Sequence, residues 1–343
     1  MDTKKSIPLF FLFFASIILV APSVMAYKNS DVLIGTYVYT WYNPDESVSW
    51  EYPKITDKPV QGFYNSCDVS VIQTQINQIV SARIDFVCLN WLGLNTFSDN
   101  VTGQWYAVAK SNSTSLKLSI MVEPFNETES GYNYTEIYER AYELFSEYEA
   151  QSLMYEGKPV IFFYNGEYLT GSEGAFSLPL DSRFTVLTIG HRNYVDVWYD
   201  DIRNYIPDSI PHGESISVLP RFDDYWQYAL GLRDHTHTVD RDLTEGLYKT
   251  QWERAIKYAN RNAIRWVFIA TWNEYPERTA IEPHYDNTAK DTDPYLLLNE
   301  TAKYTAMLHG IEPQTEGVWY QNPYLFGVII LGIALGVALL WKH

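Results

Sequence analysis

The chain has 343 residues, enough for one large α/β barrel, and a formal net charge of −17 from 42 acidic and 25 basic residues. That field repels nucleic acid and does not gather an anionic substrate, so no nucleic-acid partner is expected and a neutral or cationic one fits better. Aromatic residues make up 16% of the chain, with 28 Tyr, 11 Trp and 16 Phe. Tyr and Trp combine flat apolar faces with a hydrogen-bonding tip, the mixture a sugar needs, while most such rings taken singly belong to ordinary core.

The first 26 residues carry Lys4 and Lys5, the uncharged run from Ile7 to Val20, and the small-residue site Val24-Met25-Ala26. This is a secretory signal pattern with cleavage expected after Ala26. Residues 27–312 read as one domain, since no low-complexity block or internal repeat interrupts them.

Eight short apolar runs punctuate that domain: "VLIGTYVYTW" at 32, "IDFVCLNW" at 84, "LKLSIMVEP" at 116, "KPVIFFYN" at 158, "FTVLTIGH" at 184, "VDVWYD" at 195, "SISVLPR" at 215 and "RWVFIATWNE" at 265. Unbroken apolar runs suit strands covered on both faces. Helical periodicity appears in "DVSVIQTQINQIVSA", where Asp68 is the expected N-cap, and again in "YTEIYERAYELFSEYEA" and "EGLYKTQWERAIKYANR". Residues 165–183 and 222–244 show no clear helix. The fold expected is therefore a (β/α)8 TIM barrel with some helices short or replaced by loops. An open doubly wound sheet is the alternative, but "TWYNPDES" after the first run is not a glycine-rich phosphate loop.

Residues 313–323 read as a stalk, and residues 324–341 as a transmembrane helix of eighteen uncharged, mostly apolar residues bounded by Tyr324 and Trp341. A two-residue tail, Lys342 and His343, then lies on the inner side. The expected location is the cell membrane, single-pass, with the barrel on the outer face. Five N-x-S/T sequons, at Asn100, Asn112, Asn126, Asn133 and Asn299, agree with export. The two cysteines, Cys67 and Cys88, leave both a disulfide and a buried free thiol at position 88 open.

In a barrel of this kind the functional groups lie where strands end. The run ends supply Tyr39, Trp41 and Tyr42; Asn90 and Trp91; Glu123; Tyr164 and Asn165; His191 and Arg192; Trp198, Tyr199 and Asp200; and Arg221, Asp223 and Asp224. Polar loops are ordinary, but Trp at four of eight ends is not what loop composition predicts. The last run opens into "TWNEYPERTAIEPHYD", where Glu274 and Glu277 flank Tyr275 and Pro276. Glycoside cleavage needs two carboxyls whose surroundings push their pKa values apart, about 5–5.5 Å from each other in retaining enzymes. Pro276 disfavours a helical Tyr275, so a turn is expected here. E-x-x-E spacing by itself is common on solvated helices; the preceding buried strand is what sets this pair apart.

"TWNEYPERTAIEPHYD" resembles the signature of the endo-α-mannosidase family, glycoside hydrolase family 99, and its polysaccharide-cluster relatives. "YVYTWYNP", the segment "GFYNSCDVSVIQTQINQIVSARIDFVCLNWLG", "IMVEP" and "KPVIFFYN" are similar to further elements of that family, so that roughly residues 31–310 are covered. The resemblance implies a retaining glycoside hydrolase on α-linked, manno-type oligosaccharide or polysaccharide, without cofactor or metal. It implies that Glu274 withdraws the proton of the substrate 2-hydroxyl, that Glu277 is general acid and then base, that Tyr39, Trp41, Trp91 and Glu123 line sugar subsites, and that Asn273 orients the pair. Tyr42, Tyr164, Trp198 and Tyr199 join the candidate subsites as strand-end aromatics. The metal-free expectation agrees with the absence of HExxH and of a Cys/His cluster; His235 and His237 read as solvated loop residues.

The chain departs from the family at Tyr275, Pro276 and Arg278, where the mannosidases carry Trp-His and Gly. Arg278 beside Glu277 would favour an ionised carboxylate, so it is expected to point toward Glu282 or Asp286. Three other readings stay open: Glu123 with Glu274 as the working pair, a glycan-binding protein that hydrolyses nothing, and a polysaccharide-assembly protein.

Overall fold

A computed structural model describes residues 31–44, 50, 54–123, 133–164, 180–189 and 214–311. In chain order its elements are β1 (Leu33–Val38), β2 (Lys58–Pro59), α1 (Val69–Ser81), β3 (Phe86–Trp91), α2 (Phe97–Ser111), β4 (Lys117–Val122), α3 (Tyr134–Glu147), β5 (Met154–Tyr155), β6 (Lys158–Tyr164) and β7 (Thr185–Ile189). Then follow β8 (Ser215–Val218), β9 (Phe222–Asp223), α4 (Tyr225–Ala229), β10 (Thr238–Val239), α5 (Leu247–Ala259), β11 (Trp266–Ile269), β12 (His284–Tyr285) and α6 (Leu296–Leu308).

Seven parallel strands lie side by side in the order β7-β6-β4-β3-β1-β11-β8. The last long strand pairs with the first, Leu33 opposite Trp266 and Thr36 opposite Ile269, so the seven described strands follow one another as in a (β/α)8 barrel. The remaining expected run, "VDVWYD" at 195, lies outside the described residues. So do the signal segment, the stalk, the apolar 324–341 segment, Asn126, Asn165, His191, Arg192, Trp198, Tyr199 and Asp200. Among the described residues no helix is long and apolar enough to cross a membrane.

Alternation along each strand separates two cores. Ile34, Val38, Val87, Leu89, Leu118, Ile120, Ile161, Phe163, Val267 and Ile269 join the layer under the helices. Tyr37, Phe86, Cys88, Met121, Phe162, Trp266 and Phe268 form the other cluster, inside the curl of the sheet. That interior is largely aromatic: Phe86 meets Phe268 edge-on at 5.7 Å between ring centres and Trp266 at 5.6 Å. Gly35 makes room for it, since a Cβ there would stand 2.1 Å from Cζ of Phe86. Much of the aromatic content thus fills the core and does not face a ligand.

Asp68 caps α1, accepting from the Ser70 N–H at 2.8 Å, and α3 and α5 occupy the other two periodic segments. Two full helices carry no clear period in the sequence because hydroxyl residues sit on their buried faces. Ser98 and Thr102 are buried on α2, and Thr301 and Thr305 on α6, where Thr305 donates to the Ala82 carbonyl at 2.6 Å. Within 222–244, α4 and the β9–β10 pair form where no helix is expected. Cys67 and Cys88 are both free. Asn100, Asn112, Asn133 and Asn299 are exposed.

Candidate active site

The segment after β11 folds into a tight loop. Tyr275, Pro276, Glu277 and Arg278 form a turn closed by the Arg278 N–H on the Tyr275 carbonyl at 3.1 Å, with proline at its second position, as expected. The Thr279 N–H reaches the Glu274 carbonyl at 3.2 Å, and the Glu282 N–H returns to the Trp272 carbonyl at 2.8 Å. Arg278 holds a left-handed φ of 56°.

Glu282 anchors this loop from below. It is buried and accepts from Gln75 of α1 at 2.8 Å, Tyr64 at 2.9 Å and Tyr275 at 2.8 Å. Burial pushes its carboxyl up, and these three donors pull it back. Arg278 does turn away from Glu277. Its guanidinium binds Asp57 through Nε at 2.9 Å, Asp223 at 3.0 Å and Asp286 at 3.1 Å. Arg221, wholly buried, joins Asp57 at 3.0 Å and also pairs with Asp286. Asp57, His284 and Asp286 have ligand atoms within 4.8 Å of one another, as a metal site would. Two guanidinium groups already face those carboxylates, so the cluster reads as an ion-pair network that braces the loop.

Above this brace Glu274 and Glu277 are 5% and 6% exposed, and one oxygen of each, Oε2, is buried with no partner among the described residues. Buried carboxylate oxygens are normally satisfied, so two orphans in one loop make it the candidate site. Burial raises the Glu274 carboxyl well above its ordinary value, and the charges of Glu277 and Glu123 add to the rise. Burial also raises Glu277, but Arg233 opposes it and holds the carboxyl at about 6. Glu123, at the end of β4, is raised by burial to about 7, with Asn90 lowering it through a short hydrogen bond and Glu277 raising it. The Tyr39 hydroxyl feels Glu274, Glu123, Tyr164 and Glu277. The structure therefore brings Tyr39, Glu123, Tyr164, Glu274 and Glu277 together at the mouth of the sheet, with Trp41 packed on Tyr39 at 4.3 Å between ring centres.

Three candidates fall elsewhere. Trp91 points to the outer layer, where its indole N–H donates to Asp99 at 3.0 Å, because odd positions of β3 face the helices. Tyr42 is buried against Trp50, with ring centres 4.1 Å apart, and its hydroxyl donates to the Asn273 carbonyl at 2.7 Å. Asn273 is also buried and spends its amide on the protein: Oδ1 accepts from the Tyr39 N–H at 2.7 Å, and Nδ2 donates to the Tyr39 carbonyl at 2.9 Å and the Tyr64 hydroxyl at 3.1 Å. These two residues position the loop and leave no group for a sugar.

Arg233 was not legible as a site residue. It pairs closely with Glu277 and with Asp224 at 2.7 Å, and Asp224 is in turn fixed by Thr236 at 2.9 Å and the His237 N–H at 2.7 Å. The "DHTHT" stretch thus serves through its backbone and Thr236, and His235 is exposed.

The fold is that of known glycosidases. A structure of the GH99 endo-α-mannosidase from Bacteroides thetaiotaomicron, in complex with bis-tris propane, matches with a TM-score of 0.61 at 17% identity, over 82% of this chain and 98% of that one. Another structure of the GH99 endo-α-mannosidase from Bacteroides thetaiotaomicron gives 0.59 at 16%, over 84% and 100%. A glycoside hydrolase-like protein gives 0.53 at 12%, over 80% and 94%. At these identities the likeness is one of fold. No family model matches the sequence, and a search of curated proteins finds no match.

Proposed function

We propose that this chain is a glycoside hydrolase acting on α-linked, manno-type glycans, with Glu274 and Glu277 as its catalytic carboxyls. The observation that carries the reading is the pair of buried carboxylate oxygens, presented by one loop, that have no partner among the described residues. Burial and mutual repulsion keep both glutamates from ionising together near neutral pH, which leaves one proton and one negative charge on the pair, the state that acid–base cleavage requires. Retention of configuration would follow if the 2-hydroxyl of the sugar attacks its own anomeric carbon while the pair takes that proton and supplies one to the leaving oxygen. Water then opens the anhydro-sugar and returns the protons. Tyr39, Trp41 and Tyr164 offer the ring faces and hydroxyls for the sugar, and Glu123 a third carboxyl toward it. Export and a membrane anchor would place this chemistry on the outer face of the cell.

The purified protein should hydrolyse α-mannan oligosaccharides, and proton NMR of the first product should show the starting anomeric configuration. E274Q and E277Q should each lose the activity by a factor of about a hundred or more, the range of a lost acid or base, and E123Q should lose less. Tight glycan binding by a wild-type protein that cleaves nothing would replace this reading with that of a glycan-binding protein.

A further inference from the structure

Resting on that reading, a second device is visible beside the glutamates. We propose that Arg233 is a positioning residue for Glu277: anchored on Asp224, it holds one oxygen of that carboxylate and leaves the other, Oε2, to meet the substrate. The chain Asp224–Arg233–Glu277 is built from one side only. Asp224 is wholly buried and takes four contacts into one short segment, from Arg233, Thr236, the His237 N–H and its own N–H on the His237 carbonyl. The guanidinium leaving that anchor has its direction set before any ligand arrives. The same segment is stitched to the catalytic turn through the Asp223 N–H on the Glu277 carbonyl at 2.9 Å.

Among the described residues, the charged and titratable groups that face Glu277 are Glu274 just before its turn, Glu123 just past β4, Tyr39 just past β1, and Asp224 with Arg233 from the β9–β10 segment. Arg233 is the cation among them; its guanidinium bonds Glu277 directly, while its charge reaches Glu274 from farther away. That contact favours the ionised form of Glu277 over that of Glu274. Such a bias opposes the proton placement that the family resemblance implies, and residue 233 is its source.

The test is carbon-13 NMR titration of the glutamate side-chain carboxyls in the whole protein, with the Glu277 signal assigned by its loss in E277Q. In wild type that signal should titrate near 6. In R233M its midpoint should rise by about one pH unit or more, the size of effect an adjacent cation exerts. R233K, which keeps the charge without the fork, should fall between the two, and D224N should move in the direction of R233M. The limb of the kcat profile that Glu277 controls should move upward with it, with kcat reduced and KM nearly unchanged. A Glu277 midpoint that stays put in folded R233M and R233K overturns the proposal. A midpoint that follows residue 233 in a protein that cleaves no glycan keeps the clamp and removes the hydrolase.

Discussion

Asn273, just beyond the last long strand, holds both the N–H and the C=O of Tyr39, just beyond the first, although 234 residues separate them. One planar amide replaces the pair of ladder bonds that the two chains no longer make once they leave the sheet, and it sets the aromatic wall of the site against the glutamate turn. Each buried backbone group left unpaired costs about 1–3 kcal/mol. N273A should therefore lower the unfolding free energy by at least that much in urea titration and reduce glycan cleavage with it. A variant as stable as wild type would show that the amide is dispensable.

The brace beneath the turn balances three carboxylates, Asp57, Asp223 and Asp286, with Arg221, Arg278 and the partly exposed Arg241, which reaches Asp223 at 2.9 Å. Removing one partner from a buried ion pair typically costs about 3–5 kcal/mol, because the survivor keeps its desolvation without its counter-charge. R278A is expected to fall in that range by chemical denaturation. A loss under about 1 kcal/mol would match an exposed pair and contradict the burial seen here.

Glu123 links stability to pH. Its folded value of about 7 lies above the ordinary 4.5, so the native state binds its proton more tightly than the unfolded chain does. The sign follows: below pH 4.5 both states are protonated and the group contributes nothing, and between 4.5 and 7 stability falls as pH rises. E123Q keeps an acceptor for Asn90 and has no charge to bury. Its melting temperature relative to wild type should climb through this window and level off above it. A difference that is flat with pH would mean that Glu123 ionises normally.

Gly35 and Phe86 share one space inside the curl. A methyl at position 35 would stand 2.1 Å from Cζ of the ring and 2.3 Å from Cε2, so the ring must move or the strands must part. Overpacking of this kind costs about 1–3 kcal/mol. G35A should be destabilised by that amount in thermal melts, and combining it with F86L should cost less than the sum of the two single changes. Simple additivity would place the clash elsewhere.

Most of the framework was legible in the chain. Seven of the eight apolar runs are parallel strands in the described residues, because burial on both faces removes the polar alternation that any other arrangement would leave in the sequence. Pro276 announced a turn, and Arg278 turned from Glu277 toward Asp286 as its neighbours suggested. The helices α2 and α6 were hidden because the hydroxyl residues on their buried faces, Ser98 and Thr102 on one and Thr301 and Thr305 on the other, look polar in a one-dimensional pattern.

Among the described residues, the sequence by itself determined which ones stand at the strand ends, since order along the chain and a period of two are local properties. Only the tertiary structure decided what each one faces. A shift of one residue turned Trp91 into the outer core while Asn90 looks inward, and no spacing rule separates Tyr42, buried under Trp50, from Tyr39 beside the glutamates. Arg233 lies 44 residues from Glu277 in sequence, and its charge reaches that carboxylate only because the chain between them folds back to the same mouth. Electrostatic energy depends on distance through space, and that distance is not written along the chain.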